Sequence, residues 1–196
     1  LDAGTGTATW TSLDRRPDPW VTAHAPHAGG DPPVPLPFGD RPRWIGPAPT
    51  STLPPPELTV RSSRADGADT LLVLHLDSMR GAQLLTLHAD RPVTGVELAV
   101  DGLAPVATTP TRGAGPWPFE LQFSAPPPTG VEVRVRLPGH GPLRLALTDY
   151  TVGLPTPARS AALTASTRTT SDLVGGGRIH LIDARAIGRG VGWPGR

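Results

Sequence analysis

Two histidines three residues apart are the closest approach to a metal site in this sequence. His24 and His27 flank Ala25-Pro26. A catalytic zinc ion needs three protein ligands, and its imidazoles are held in place by further hydrogen-bonding partners. The loop around Pro26 is rich in Gly and Pro and offers neither. We therefore interpret the pair as part of a solvated loop and predict that the chain itself holds no metal or other cofactor.

Two further histidines each precede an aspartate by two residues. His75 is followed by Asp77, and His88 by Asp90. Both histidines are spaced evenly from neighbouring leucines, which is the spacing of side chains along β-strands. We expect two separate strands with a histidine on one face of each, and no shared metal site.

Ser124, His140 and Asp149 supply the residue types of a hydrolytic triad. No Gly-x-Ser-x-Gly elbow is present to expose the serine, and a triad is defined by geometry. The Gly-rich stretch 175–177 precedes a strand-like run, whereas a phosphate-binding loop follows a strand and opens a helix. We interpret it as a flexible turn, and we predict that this chain is not an enzyme.

Four residues are candidates for an interaction surface. Trp20 and Trp117 lie beside prolines, and Asp149 and Tyr150 end a predicted strand. Exposed aromatic side chains on rigid loops can anchor a sugar or a protein partner. The alternative is that the tryptophans plug the ends of the fold and that Asp149 caps a turn.

Composition excludes several classes of function. All eighteen basic residues are arginine, the net charge is +1, and no run of four basic residues occurs. These features disfavour nucleic-acid binding. The absence of cysteine rules out disulfides and thiolate zinc sites. No apolar stretch approaches the roughly 20 residues that cross a bilayer, so we expect no membrane span here.

Proline and alternation divide the sequence into three regions. Residues 1–56 are broken by proline clusters and predict an extended segment packed on the core, with one strand at 7–13. Residues 57–150 predict an antiparallel β-sandwich of about eight strands, and residues 151–196 an irregular tail with a possible edge strand at 178–186.

Short runs with a period of two residues carry the sandwich prediction. Residues 131–137 and 143–147 alternate between apolar and mostly polar positions around Pro138-Gly139-His140-Gly141, which predicts a hairpin. Asp101-Gly102 predicts a second hairpin between 95–100 and 103–109. Residues 71–76 and 84–87 are apolar at both parities, which predicts strands covered on both faces.

Several segments together resemble a known family, in the same order along the chain. The segments are 1–12 (LDAGTGTATWTS), 36–42 (LPFGDRP), 55–60 (PPELTV), 119–131 (FELQFSAPPPTGV) and 143–155 (LRLALTDYTVGLP). They are similar to the C-terminal extracytoplasmic region of actinobacterial M28-type peptidases related to vacuolar membrane proteases. After residue 155 the resemblance fades.

The resemblance implies a role within a larger membrane protein. In that family a zinc peptidase domain comes first, transmembrane helices follow, and a β-rich domain ends the chain. No segment here matches the zinc-binding or catalytic motifs, so no catalytic residue is carried over. The expectation is a non-catalytic accessory domain outside the cytoplasm, with the parent's peptidase domain and transmembrane helices as partners. An independent carbohydrate- or protein-binding module and a secreted hydrolase are the alternatives.

Overall fold

The computed structural model describes residues 7–30, 44–49, 54–100, 103–109, 111–113, 115–151 and 183–186. These residues form an all-β structure with three antiparallel sheets and one short helix. The predicted all-β class is therefore confirmed.

Thirteen strands and one helix are described. In chain order they are β1 Thr9–Ser12, α1 Pro19–His24, β2 His27–Ala28, β3 Trp44–Pro47, β4 Glu57–Asp66, β5 Asp69–Asp77, β6 Leu84–Ala89, β7 Gly95–Ala99, β8 Val106–Thr108, β9 Thr111–Arg112, β10 Phe119–Ser124, β11 Val131–Pro138, β12 Leu145–Tyr150 and β13 Asp183–Ala186.

The first sheet has the strand order β4-β5-β11-β7-β8. Its centre is β11, which pairs with β5 on one side and β7 on the other. The predicted alternation is confirmed, because Val133 and Val135 are buried while Arg134 and Arg136 lie on the half-exposed outer face. A two-residue turn joins β4 to β5, and its Gly67 has φ +64. Glycine accepts this positive φ without steric penalty.

The second sheet has the strand order β13-β12-β6-β10-β9. Its central strand β6 pairs with β10 and β12, and β13 pairs with β12 over its four residues. The tail strand predicted at 178–186 is thus present at Asp183–Ala186, while 178–182 lie outside the described residues.

One buried apolar cluster is shared by the first two sheets. The first sheet contributes side chains such as Leu74 and Val133, and the second contributes side chains such as Leu87, Phe119 and Leu147. Each fully buried side chain of this size contributes roughly 1.5–3 kcal/mol relative to an exposed one. A common core between two antiparallel sheets is a sandwich-like arrangement.

The predicted hairpin between residues 131–137 and 143–147 is wrong. Strand β11 belongs to the first sheet and β12 to the second, so the intervening segment crosses from one sheet to the other. This crossing is held by Arg91, whose guanidinium donates to the carbonyl oxygens of Pro138 and Gly141. Alternation reports which face of a strand is buried but not which strand lies beside it.

The second predicted hairpin is confirmed in its strands. β7 and β8 pair antiparallel. The amide of Leu103 donates to the carbonyl of Val100 at 2.9 Å, which closes a turn. The central residues of that turn, 101 and 102, lie outside the described residues.

Coverage on both faces is confirmed for one strand and wrong for the other. In β6 every residue from Leu85 to Ala89 is buried. In β5 burial alternates, and Leu71 and Val73 remain half-exposed because they lie on the outer face of the first sheet. Residues Leu85 and Leu87 face the shared core, so Thr86 and His88 must point to the outer face of the second sheet.

The N-terminal segment holds more regular structure than an extended chain. Strands β1, β3 and β2 form a third sheet, and α1 contacts β3. The helix begins at Asp18, whose carboxylate accepts from the amide of Val21 at 2.7 Å, with Pro19 in its first turn. Both are standard helix-start signals. The predicted strand at 7–13 is present as Thr9–Ser12.

A small apolar cluster stabilises this segment. Trp10, Val21 and Ala25 are buried together, and Trp20 and Trp44 pack against them. The indole N–H of Trp44 donates to the carbonyl of Asp14 at 2.9 Å. Packing of residues 1–56 onto the main core stays a prediction. In the described ranges no helix has the length and apolarity required to cross a bilayer.

Candidate functional site

A buried ion pair joins the end of β12 to the loop after β5. The Asp149 carboxylate is bound by the Arg80 guanidinium, with Nη2 2.5 Å from Oδ1 and Nε 2.9 Å from Oδ2. The hydroxyl of Ser78 donates to Oδ2 at 2.8 Å. Both charged side chains are almost fully removed from solvent. The charge and the hydrogen-bonding capacity of Asp149 are thus satisfied inside the protein.

This ion pair shapes the loop as well as the strand. The Oγ of Ser78 accepts from the amide of Ala82 at 2.9 Å, and Nη2 of Arg80 is 3.3 Å from the carbonyl oxygen of Asp149. Loop 78–82 is thereby fixed against the end of the second sheet. Asp149 has a structural role here, and the prediction that it belongs to an exposed interaction surface is wrong because its side chain is enclosed.

His140 and Asp149, two of the three residues that could form a hydrolytic triad, lie far apart. The exposed His140 has its Nδ1 3.0 Å from the hydroxyl of Thr70, at the start of β5. Asp149 is bound to Ser78, just beyond the other end of that strand. Eight residues of extended chain separate the two contacts, about 26 Å at roughly 3.3 Å per residue. The fold therefore does not assemble Ser124, His140 and Asp149 into a catalytic group.

The second buried polar site is His88, on the outer face of the second sheet. Its side chain is 2% exposed, and neither ring nitrogen has a hydrogen-bond partner. Its cross-strand neighbours are Glu120 on β10 and Ala146 on β12. The nearest ionisable atom given for it is Oε2 of Glu120, 3.9 Å from Nδ1, beyond hydrogen-bonding distance.

An aromatic loop covers His88. We call the connection between β9 and β10, described at residues 113 and 115–118, the Trp117 loop. It closes through the amide of Gly113, which donates to the carbonyl of Pro118 at 3.1 Å. A Cβ at Gly113 would lie 2.1 Å from the carbonyl oxygen of Trp117, so this close return needs glycine.

Trp117 lies between His88 and an arginine. Its ring meets the imidazole edge to face, with centroids 6.1 Å apart, and the guanidinium carbon of Arg144 lies 5.8 Å from its centroid. Asp90 accepts from both Nε and the backbone amide of Arg144 at 2.8 Å. Because Trp117 is buried, its predicted role as an exposed platform is wrong; it lies against His88 on the outer face of the second sheet. We call His88, Asp90, Trp117, Glu120 and Arg144 the His88 cluster.

The cluster perturbs two ionisable groups by burial. Desolvation lowers the pKa of His88 from 6.5 to about 4, and burial raises the pKa of Glu120. At neutral pH the imidazole is uncharged, so the 3.9 Å contact with Glu120 is not an ion pair under those conditions. The result is a neutral histidine beneath a tryptophan, with a partly exposed carboxyl group beside it.

The other sequence candidates lie elsewhere. Trp20 stacks on His24, with ring centroids 4.3 Å apart, in the N-terminal cluster. His24 also contacts the carbonyl of Trp20 through Nδ1 at 2.9 Å, while His27 is exposed on β2. Tyr150 is half-buried at the end of β12. Trp20 thus belongs to the N-terminal cluster, whereas Trp117, Asp149 and Tyr150 lie on or beside the second sheet.

The remaining predictions about metals and glycines have mixed outcomes. His75 lies on the outer face of the first sheet and His88 on the second sheet, so they are on separate strands as predicted. In the ranges given above, no group of three or more His, Asp or Glu side chains is placed to hold a metal ion. Absence of a bound metal stays a prediction. The glycines 175–177 lie outside the described residues.

Sequence reasoning missed the partners of the buried groups. Arg80 and Ser78 follow a predicted strand, and nothing local distinguishes them from solvated loop residues. Arg144 lies within the alternating run 143–147 and resembles any outward-facing arginine. Only one signal was available: the both-parity apolar pattern of β6, which predicts that an outward side chain such as His88 is covered.

Among the described residues, the most exposed apolar segment lies at the β8 edge of the first sheet. Residues 103–107 are all exposed, and Leu103 and Val106 retain 69% and 61% of their accessible surface. The segment 103–109 contains no charged residue. Exposed uncharged edges can pair with other chains.

Comparison of the chain with protein-family models, with curated proteins and with solved structures found no match.

Proposed function

We propose that this chain is a non-catalytic accessory domain of a larger, membrane-bound zinc peptidase of the M28 type, located outside the cytoplasm. The catalytic zinc ions are held by a peptidase domain that is not part of this sequence. The chain supports that domain or guides peptides toward it. The sequence resemblance across residues 1–155 supports the assignment to this class.

The ionisable side chains form hydrogen bonds and ion pairs with structural partners, and this supports a non-catalytic role. Asp149 is occupied by Arg80, Asp90 by Arg144, and His140 lies beside Thr70 at the far end of β5. A nucleophile and its general base must lie within hydrogen-bonding reach of each other. These groups instead join strands to loops, which is the work of a scaffold.

The observation that carries the docking role is the exposed apolar edge at β8. A strand edge offers unpaired backbone donors and acceptors to an extended segment of a partner. Leu103 and Val106 add apolar surface without charge. The opposite edge of the same sheet is different: β4 carries Arg61 and Arg64 and an irregular register near Arg61, features that discourage pairing.

The size of this edge favours a tethered partner. β8 has three residues, whereas a stable interface between free proteins buries roughly 1,200–2,000 Å² in total. A partner within the same polypeptide is present at a high effective concentration, so a small contact is sufficient. The peptidase domain of the parent chain meets that condition.

The proposal is tested in the full-length polypeptide. Leu103→Ser combined with Val106→Thr removes apolar surface from the edge without adding charge. We expect the peptidase to become less active or less heat-stable. Met79→Ser is the matched control, since Met79 is a similarly exposed apolar residue away from β8 and its replacement should change neither property.

The isolated chain separates docking from folding. The Leu103→Ser/Val106→Thr variant should unfold at the same denaturant concentration as the wild-type chain, because both side chains are already exposed. Unchanged activity and heat stability in the full-length variant would contradict docking through β8. The same edge is compatible with an independent protein-binding module; a full-length enzyme indifferent to deletion of the whole chain would favour that alternative.

A further inference from the structure

His88 stands out because both its ring nitrogens are buried without partners. Nearly all buried polar groups in native proteins find a hydrogen bond, so each exception calls for an explanation. A leucine in this place would fill similar space without losing hydrogen bonds to water. The histidine adds one property that a leucine lacks, since an imidazole can take up a proton.

The charged groups around His88 determine whether a protonated imidazole would find a partner. Glu120 faces it from β10, Asp90 follows it by two residues just after the end of β6, and Arg144 lies above Trp117 from the segment before β12. Ala146, its neighbour on β12, brings no charge. Asp90 is already bound twice by Arg144, which leaves Glu120 as the partner nearest to the imidazole.

The closed arrangement does not accommodate an imidazolium well. The Glu120 carboxyl is too distant for a hydrogen bond, and the face of His88 toward solvent is covered by the edge of Trp117. A buried charge without a partner is strongly disfavoured. Among the described residues, Trp117 lies against the imidazole, and Arg144, which is bound to Asp90, lies over Trp117.

We propose that the Trp117 loop is an acid-responsive latch, which lifts from the second sheet when His88 is protonated and thereby exposes the imidazole and the sheet surface around it. The lowered pKa of His88 agrees with this, because the closed state resists the proton. Ala146, the cross-strand neighbour of His88 on β12, is buried beside it in the closed state. Opening is local, because the shared core lies on the other face of the sheet.

The test follows the Trp117 indole as pH falls. The chain is labelled with ¹⁵N-tryptophan, and Trp117→Phe assigns the Trp117 signal. A soluble paramagnetic gadolinium chelate broadens the signals of exposed indoles. We expect broadening of the Trp117 signal to increase severalfold as pH falls from about 6.5 through about 4, the pKa at which His88 of the closed state gains its proton. The buried Trp10 should stay protected.

Variants separate the latch from general acid effects. His88→Leu should abolish the response, and His88→Gln serves the same purpose if the leucine variant does not fold. His75→Gln, at a half-buried histidine on the first sheet, should leave the response intact. Asp90→Asn removes the clamp on Arg144, so opening should begin at a higher pH.

Three results would overturn the latch. The first is a Trp117 signal that stays protected down to about pH 3.5. The second is exposure that persists in both His88 variants. The third is exposure that coincides with loss of the backbone amide signals of β11, since that would be unfolding of the whole domain.

Discussion

The second sheet buries two ionisable groups in opposite ways. Near the end of β12, Asp149 is bound by Arg80 and Ser78. On the neighbouring strand, His88 is equally buried, and its ring nitrogens have no partner. The Asp149 carboxylate lies against the Arg80 guanidinium, whereas His88 is neutral at neutral pH because burial lowers its pKa to about 4.

The Arg80–Asp149 ion pair is a lasting contact between strand and loop, whereas the packing of Trp117 on His88 depends on pH. A carboxylate matched by a guanidinium in good geometry holds its loop as long as arginine stays charged, at any pH above the carboxyl pKa. The neutral form of His88 beneath Trp117 is favoured only at pH values above its pKa of about 4. The two sites should therefore respond differently to mutation and to acid.

Arg80→Ala should produce the largest effect. It leaves the Asp149 carboxylate buried without its counter-charge, and breaking a buried pair in this way costs about 3–5 kcal/mol. Urea unfolding of the isolated chain at neutral pH measures the loss. A combined Arg80→Met and Asp149→Leu variant should lose less than Arg80→Ala alone, and a loss below about 1 kcal/mol for Arg80→Ala would show that the pair contributes little.

Acid should produce the next largest effect, through His88. Its folded pKa lies near 4 and its unfolded value near 6.5, so the unfolded chain binds the proton first. The stability linked to His88 is fully present above about pH 6.5 and is lost as pH falls toward 4, a change of roughly 3 kcal/mol. Urea unfolding at intervals across that range measures it.

The titration of Glu120 opposes that of His88. The raised pKa of Glu120 acts in the opposite direction, since a folded state that holds its proton more tightly gains stability as pH falls. His88→Leu removes the histidine contribution and should flatten the profile between about pH 6.5 and about pH 4. An unchanged slope in that variant would mean that other groups govern the acid response.

Arg136→Gln should produce the smallest effect. Arg136 contacts Asp66 at 2.6 Å and Asp69 at 3.4 Å on the outer face of the first sheet, with its side chain 41% exposed. Solvent-exposed ion pairs contribute little because water and salt screen them. Its unfolding midpoint should match that of the wild type, and a loss comparable to Arg80→Ala would remove the distinction between buried and exposed pairs.

Alternation in the sequence predicts the buried face of strands such as β11, but not which strands lie beside each other. The alternation at Val131, Val133 and Val135 correctly predicts the inward face of β11. The same alternation is expected whether the next strand joins the same sheet or the opposite one. The choice depends on tertiary contacts such as those of Arg91 with the crossing segment, 47 and 50 residues away in sequence.

The buried polar groups were harder to predict than the core. Asp149 was assigned to a surface because it ends a strand, and its enclosure depends on an arginine 69 residues earlier in the chain. For Trp117 the sequence leaves open an exposed binding platform or a buried packing role. Its burial against His88 in the structure excludes the exposed platform. By contrast, the start of α1 had a local signal in Asp18-Pro19, which could have been recognised.

We propose that this chain supports a zinc peptidase without being one. The most direct test measures zinc content after dialysis and aminopeptidase activity with added zinc, in the isolated chain and in the full-length polypeptide with and without it. We expect no stoichiometric zinc and no activity in the isolated chain, and reduced activity or heat stability when the full-length enzyme lacks it. One tightly held zinc per isolated chain, lost together with activity on replacing His24 or His27, would contradict the claim.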